Sequence, residues 1–363
     1  MTGLARHLGA LAPWREIIRF PVLRTLRFLR LITAVPSIWL RRSCAVAILV
    51  VLVLLAFAPA AQSQGPLQKV TISYSSRSIS SIDLFIAQDR GFFREEGLEA
   101  RLVQVRATVA IAAILSDEVQ ALGSIGSAMR ATERGAPIKV LAVSLRQPLF
   151  WLVTRPEIKS ISDLKGKVVG VVTIGGSQHT ALRRMLQTGA VNPDGEVTTV
   201  LAGDVPAQLQ ALAANSIQAA ALSPPIVIVA RDKFKMNVLA GAMNEFTSLQ
   251  NGLAVSEKTL RGQRELVKRM LRARAKANRY FHENEKGASE VLARYLSVDY
   301  PTAIETYRVS RPAYTTDGIP TEEEVREYLK MDAQILGLAE PIPISKVFDF
   351  SLQREVNQEL GVK

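Results

Sequence analysis

From Lys69 onward the apolar positions switch between two periods. Short runs with apolar residues at strand spacing, at residues 70–74 (VTISY), 98–105, 121–124, 138–145 and 149–155, read as strands. Between them the spacing lengthens to that of a helix. It predicts helices from Leu84 to Gln88 ending at Gly91, over residues 107–115, and from the Gly126-Ser127 turn onward. Ser80-x-x-Asp83 reads as a capping box for the first of these. Residues 156–164 read as a linker, after which a second series begins. It runs strand 168–173, a helix from Ser177 with Leu182, Met185 and Leu186 on one face, strand 197–201, helix 205–214, strand 217–222, a Ser223-Pro224-Pro225 turn into a helix, and strand 237–240. Residues 251–255 (NGLAV) read as a return crossing.

Strands that alternate with helices predict an α/β fold with parallel sheets covered on both faces. Two series predict two lobes: residues 67–154 plus 246–363, and residues 157–245, with hinges at 154–157 and 245–252. From Leu260 the pattern is helical. Leu266, Val267, Met270, Leu271, Ala277, Tyr280 and Phe281 form one stripe, with Lys268, Arg269, Arg272, Arg274, Lys276 and Arg279 on the rest, the signature of a solvated helix face. Further helices are predicted at 288–296, 301–309 and 322–336, the last opened by Thr321-x-x-Glu324.

Charge is unevenly placed. Eight arginines against Glu16 in residues 1–43 carry +7 of the formal +12, leaving +5 for the remainder. Residues 45–58 (AVAILVVLVLLAFA) follow Arg41-Arg42 and precede small residues. That order reads as a secretory signal peptide cleaved near residues 60–63, the apolar core being short for a membrane span; an uncleaved anchor is the alternative. Export to the periplasm excludes nucleic acid as a partner. The single cysteine, Cys44, precedes the apolar run, so the mature chain has no disulfide and no thiol chemistry. With two histidines left, His179 and His282, and no cluster at ligand spacing, neither a metal nor a cofactor is expected.

The stretch that carries candidate chemistry is residues 165–187, KGKVVGVVTIGGSQHTALRRMLQ. Gly175 and Gly176 let the backbone turn tightly between strand and helix, and the free N–H groups of the helix start present the positive end of its dipole. Gly170 and Gly175 have P-loop spacing, but Gly176 and Ser177 stand where Lys and Ser/Thr are required. The order Gly175-Gly176-Ser177-Gln178-His179 lacks the last glycine of a nucleophile elbow. It leaves a second reading, a secreted serine hydrolase with Ser177 as nucleophile and His282 as base. Ser75, Ser76, Ser80, Ser81 and Ile82 would line one wall of a cleft at the carboxyl ends of the strands, and Ser124, Gly126 and Ser127 the next. Ile174, Gly175, Gly176, Ser177 and Gln178, with Ser223 and Pro224, would form the opposing lobe. Arg77, Arg146 and Arg311 are unplaced candidates for an anion, and Tyr74, Phe85 and Trp151 for an aromatic solute.

The leader, IAQDRGFFREEGLE, ALGSIGSAM, ISDLKGKVVGV followed by GGSQ, and GAVNPDGEVTTV occur in an order that resembles the nitrate/sulfonate/taurine-type substrate-binding proteins of ABC importers, which include thiamine-precursor-binding relatives. The resemblance runs over residues 67–255. It implies a type II periplasmic-binding fold with two doubly wound lobes, a small solute held between them without chemistry, and delivery to a membrane permease with its ATPase; the mature protein is expected to be monomeric.

Overall fold

The computed structural model describes residues 66–243 and 246–362; the leader expected over residues 1–63 lies outside the described residues. The first lobe opens with β1 (Gln68–Tyr74), α1 (Ile82–Asp89), α2 (Phe92–Glu95), β2 (Leu98–Gln104), α3 (Ala107–Leu115), β3 (Ala121–Ser124), α4 (Gly126–Glu133) and β4 (Ile138–Leu145). The second holds β5 (Trp151–Thr154), β6 (Lys167–Val171), α5 (Ser177–Thr188), β7 (Val197–Leu201), α6 (Val205–Ala213), β8 (Ala219–Leu222), α7 (Ile226–Phe234) and β9 (Asn237–Gly241). The chain returns through β10 (Asn251–Ser256) to α8 (Glu257–Gly262), α9 (Arg264–Glu283), α10 (Glu285–Leu296), α11 (Tyr300–Ser310), α12 (Glu322–Leu336), α13 (Ile344–Val347) and α14 (Ser351–Leu360).

Two five-stranded sheets result, in the orders β2-β1-β3-β10-β4 and β7-β6-β8-β5-β9. Neither is wholly parallel, contrary to the expectation from strand-helix alternation. β10 runs antiparallel to β3 and β4, and β5 antiparallel to β8 and β9. The cause is where these two strands begin. β1, β3, β6 and β8 end at the gap between the lobes, whereas β5 and β10 start there, straight from the crossings, and so run the other way. Because β5 hydrogen-bonds into the second sheet, the first crossing is at residues 146–150 and not at 154–157, and residues 151–154 leave the first lobe for the second. The second crossing lies between β9 and β10, overlapping the expected hinge, of which Glu245 is outside the described residues. The two crossings bond to each other, Ser248 N to Arg146 O at 3.3 Å and Ala242 N to Phe150 O at 2.8 Å.

Side-chain alternation along each strand feeds a separate apolar layer on each face. In the first sheet Ile72, Leu141 and Val255 pack under α1, α9 and α10, while Leu122, Val140 and Ala254 pack under α4, α12 and α13. In the second, Val169, Val171 and Ala219 meet Leu182, Met185 and Leu186 of α5, and Val153, Ala220 and Leu222 meet α6 and α7. Filling both faces rigidifies each sheet, so the turns at its cleft end are held by about 2 kcal/mol of transfer free energy per fully buried aliphatic side chain.

The α9 stripe is buried as its period requires, and Lys268, Arg272 and Lys276 are paired with Glu355 and Glu359 of α14, Glu95 of α2 and Glu96 just beyond it. Arg274 departs from the solvated-face reading. It is buried, and its Nε donates to Asp83 Oδ2 at 3.1 Å, which also accepts from Ser144 Oγ at 2.6 Å. That engagement is why the Ser80-x-x-Asp83 capping box does not form: α1 starts with no side-chain cap, and Asp83 is turned into the core. The box at Thr321 and Glu324 does form. Among the described residues no helix is long and apolar enough to cross a membrane.

Candidate functional site

Between the lobes lies a cleft with about 620 Å³ of empty space, part of it open to solvent. The first lobe contributes the polar turn after β1 (Ser75, Ser76, Ser78, Ser80), the end of β3 with the start of α4 (Ser124, Gly126, Ser127), and Gln250 and Asn251 from the return crossing. The second contributes the turn between β6 and α5 (Val172, Thr173, Gly176, Ser177, Gln178) and Val205, and Phe150 comes from the first crossing. β6 ends at Val171, two residues before the expected boundary, which frees Val172 and Thr173 to form the wall. Gly175 lies at φ +78°, a left-handed position natural to glycine, and this reversal swings Gly176 and Ser177 into the cleft.

Neither α4 nor α5 has a side-chain cap at its start, so the first-turn N–H groups of both are presented at the gap. The two starts nearly touch: a Cβ on Gly126 would lie 2.4 Å from Ser177 Oγ, so the missing side chain is what permits the approach. Many of the hydroxyls are tied to one another. Ser75 N donates to Ser124 Oγ at 3.1 Å, Ser124 Oγ to Ser75 Oγ at 2.9 Å, and the Ser78 and Ser80 hydroxyls lie 2.7 Å apart. Ser76 is different. It is 6% exposed, lines the cleft, and its Oγ has no hydrogen-bond partner in the protein. A buried hydroxyl without a partner costs roughly 1–3 kcal/mol, and such a group at a cleft wall points to a ligand.

Of the residues singled out from sequence, Ser75, Ser76, Ser80, Ser124, Gly126, Ser127, Gly176, Ser177 and Gln178 come together on this wall. Gln178 is spoken for: its Oε1 accepts from Val172 N at 2.7 Å and its Nε2 donates to Ala221 O at 2.7 Å, so it holds the turn in place. Ile82 does not line the cleft; the first residue of α1 faces inward, fully buried in the core. Ser81 is buried one layer back, accepting from Asn251 Nδ2 at 3.4 Å. Ile174 is exposed on the outside of the turn, and Gly175 N donates to His179 Nδ1 at 3.0 Å behind it. Ser223 and Pro224 lie outside the lining; Pro224 O instead accepts Ile79 N of the other lobe at 3.2 Å. Ser78, Phe150, Val172, Thr173, Val205, Gln250 and Asn251 are lining residues that the sequence reading did not single out. Ser78 lies in the same turn as the predicted Ser75, Ser76 and Ser80, whereas Phe150, Gln250 and Asn251 reach the site only through the crossings.

The unplaced candidates fall away from the cleft. Arg77 donates to Tyr295 O, Arg146 pairs with Glu324 at 3.1 Å, and Arg311 donates to His282 O at 3.3 Å. Phe85 stacks on Tyr295 with ring centroids 3.5 Å apart. His282 Nε2 is 3.0 Å from Thr315 O in the first lobe, so it does not serve Ser177, and the hydrolase constellation is not assembled. Burial holds the His179 imidazole below its usual pKa, with Arg183 and Arg130 adding to the effect; it accepts a backbone N–H as a neutral ring.

Behind the α4 start sits a buried ionic cluster. Arg130 Nε donates to Asp332 Oδ1 at 2.8 Å, Tyr328 Oη donates to Asp332 Oδ2 at 3.1 Å, and Glu133 lies alongside. Burial, reinforced by the Asp332 carboxylate and opposed by Arg130 and Arg134, pushes Glu133 up to about 8 from its ordinary 4.5. The folded chain therefore keeps a proton that the unfolded chain releases. Its contribution to stability is present below pH 4.5 and is lost as pH rises to about 8. Glu133→Gln should flatten the fall in stability between those limits, read from urea unfolding at pH 5 and pH 8; an unchanged slope would show that Glu133 ionises normally.

The sequence profile of the NMT1/THI5-like family matches residues 78–288, more than half of the chain, and the chain belongs to that family. It is 27% identical over 230 residues to the riboflavin-binding protein RibY of Chloroflexus aurantiacus, covering 60% of this chain and 63% of that protein. The fold is that of the nitrate-binding protein NrtA of Synechocystis PCC 6803, with TM-score 0.67 and 13% identity over 82% of this chain and 90% of that one. It is equally that of the alkanesulfonate-binding protein SsuA of Xanthomonas axonopodis pv. citri, with TM-score 0.65 and 15% identity over 78% and 99%. The desulfurization enzyme DSZB shares it too, at TM-score 0.61 and 14% identity over 81% and 99%. At these identities the likeness is one of fold: two lobes in the type II periplasmic-binding arrangement.

Proposed function

We propose that this protein is the solute-binding receptor of an ABC importer. It would hold a small polar solute between its lobes, close on it by motion at the two crossings, and pass it to a membrane permease driven by an ATPase. The relatives named for riboflavin, nitrate and alkanesulfonate binding support the class, and the leader supports a periplasmic location. The observation that carries the reading is the Ser76 hydroxyl, buried in the cleft wall and unpartnered within the protein. Among the described residues, those lining the cleft carry no ionisable side chain, so recognition rests on hydroxyls, amides and the N–H groups of α4 and α5, with Phe150, Val172 and Val205 as apolar contacts. Binding without chemistry is favoured because, among the described residues, His179 and His282 are bonded to backbone groups and not to Ser177, and because a ligand touching both lobes stabilises the closed arrangement through its differential contacts alone.

Ser76→Ala separates this reading from a structural role by the sign of its effects. Without solute the variant should be at least as stable as the parent, since it removes an unsatisfied buried hydroxyl. With the cognate solute its affinity should fall about fivefold to tenfold, the usual worth of one lost hydrogen bond. Calorimetric titration that finds equal affinity in both proteins would remove Ser76 from the site.

A further inference from the structure

We propose that Arg130 is the clasp that positions the two lobes in the closed arrangement, acting from α4 of the first lobe on Thr180 of the second. Its guanidinium is anchored on its own side. Nε donates to both oxygens of Asp332, at 2.8 and 3.1 Å, and Nη2 lies 2.7 Å from Oδ1. Asp332 is fully buried in α12. The other side of the fork crosses the gap: Nη2 also donates to Thr180 Oγ1 at 2.8 Å, and Thr180 Oγ1 in turn donates to Gly176 O at 3.3 Å. Nη1 is buried without a partner and faces the same turn, 3.6 Å from where a Cβ on Gly175 would lie.

The placement gives the contact its consequence. Arg130 is four residues past Gly126 and Thr180 three past Ser177, so each sits one turn behind a helix start that lines the cleft, on the same face. A bond between the second turns fixes how the first turns face each other. Other side chains also bridge the lobes, Gln104 to Asp204 at 3.2 Å, Arg231 to Glu305 at 3.1 Å and Lys233 to Asp299 at 3.5 Å, but all three pairs are exposed and exchange readily with water. Arg130 and Thr180 are 7% and 4% exposed, and a buried bond to a charged donor is worth several times more. On opening, the guanidinium stays with Asp332, so the bond can break without unfolding either lobe.

The inference rests on the reading of two lobes that open and close, and it is tested without any solute. In the full chain carrying Cys44→Ser, spin labels at Glu118→Cys and Gln187→Cys, exposed positions on different lobes, report the interlobe distance by pulsed electron resonance. Thr180→Val keeps the shape and removes the acceptor. It should raise the ratio of long to short distances about tenfold, whereas Gln104→Ala should change it about twofold or less. Thr180→Ser should restore the parent distribution, and Thr180→Ala should reproduce the valine result should that variant fold poorly. A Thr180→Val distribution equal to the parent's, or displaced no further than that of Gln104→Ala, overturns the clasp. If no solute binds the parent while Thr180→Val still opens it, the clasp stands and the receptor reading fails. The converse keeps the receptor and removes the clasp.

Discussion

Asp83→Ala is expected to cost about 3–5 kcal/mol of unfolding free energy, the cost of breaking a buried ion pair from one side. Asp83 and Arg274 are 1% and 4% exposed, and they meet where α1, α9 and β4 pack together. Asp83 Oδ2 accepts from Arg274 and Ser144, and Oδ1 accepts Leu84 N at 2.9 Å. Removing the carboxylate leaves a guanidinium buried without a counter-charge, which is far worse than removing both. A double variant, Asp83→Leu with Arg274→Met, should recover most of the loss because two apolar side chains need no partners. Urea unfolding of the three proteins checks the pattern; a double variant as unstable as Asp83→Ala would mean that packing, not the uncompensated charge, sets the cost.

Gly252→Ala is the second. A Cβ at this position would lie 1.8 Å from Ala142 O, and Cβ–backbone overlap of that kind cannot be relieved by a rotamer change. Gly252 sits where the register of β10 against β4 shifts, next to Asn251. The strand would have to move off β4, at a cost of about 3 kcal/mol, and would carry Gln250 and Asn251 out of the cleft wall with it. Stability and solute affinity should therefore fall together, measured by thermal unfolding and by titration. Loss of one without the other would separate the strand from the site.

Much of the fold was legible because its signals are local. Residues 107–115, 121–124, 138–145 and 322–336 have the bounds the spacing predicts, since an apolar period or a capping box needs only its own neighbours. The glycine turn before Ser177 was legible for the same reason. What failed was decided at long range. Nothing in NGLAV says that it inserts between β3 and β4, strands more than a hundred residues earlier, and nothing in Trp151 to Thr154 says that it belongs to the second sheet. Asp83 looks like a cap until Arg274 of α9 is folded against it. Ile82 adjoins a polar turn, yet two residues past Ser80 the chain has already turned from the cleft into the core. Phe150, Gln250 and Asn251 reach the wall from the crossings, and a single aromatic or amide carries no motif.

The central claim is that a solute is held between the lobes against Ser76 and the starts of α4 and α5. The most direct measurement is the structure of the purified protein with a solute chosen from a library by thermal shift. The account predicts that solute within hydrogen-bonding distance of Ser76 Oγ and in contact with Ser177 across the cleft. A solute seated on one lobe alone, or outside the gap altogether, would contradict it.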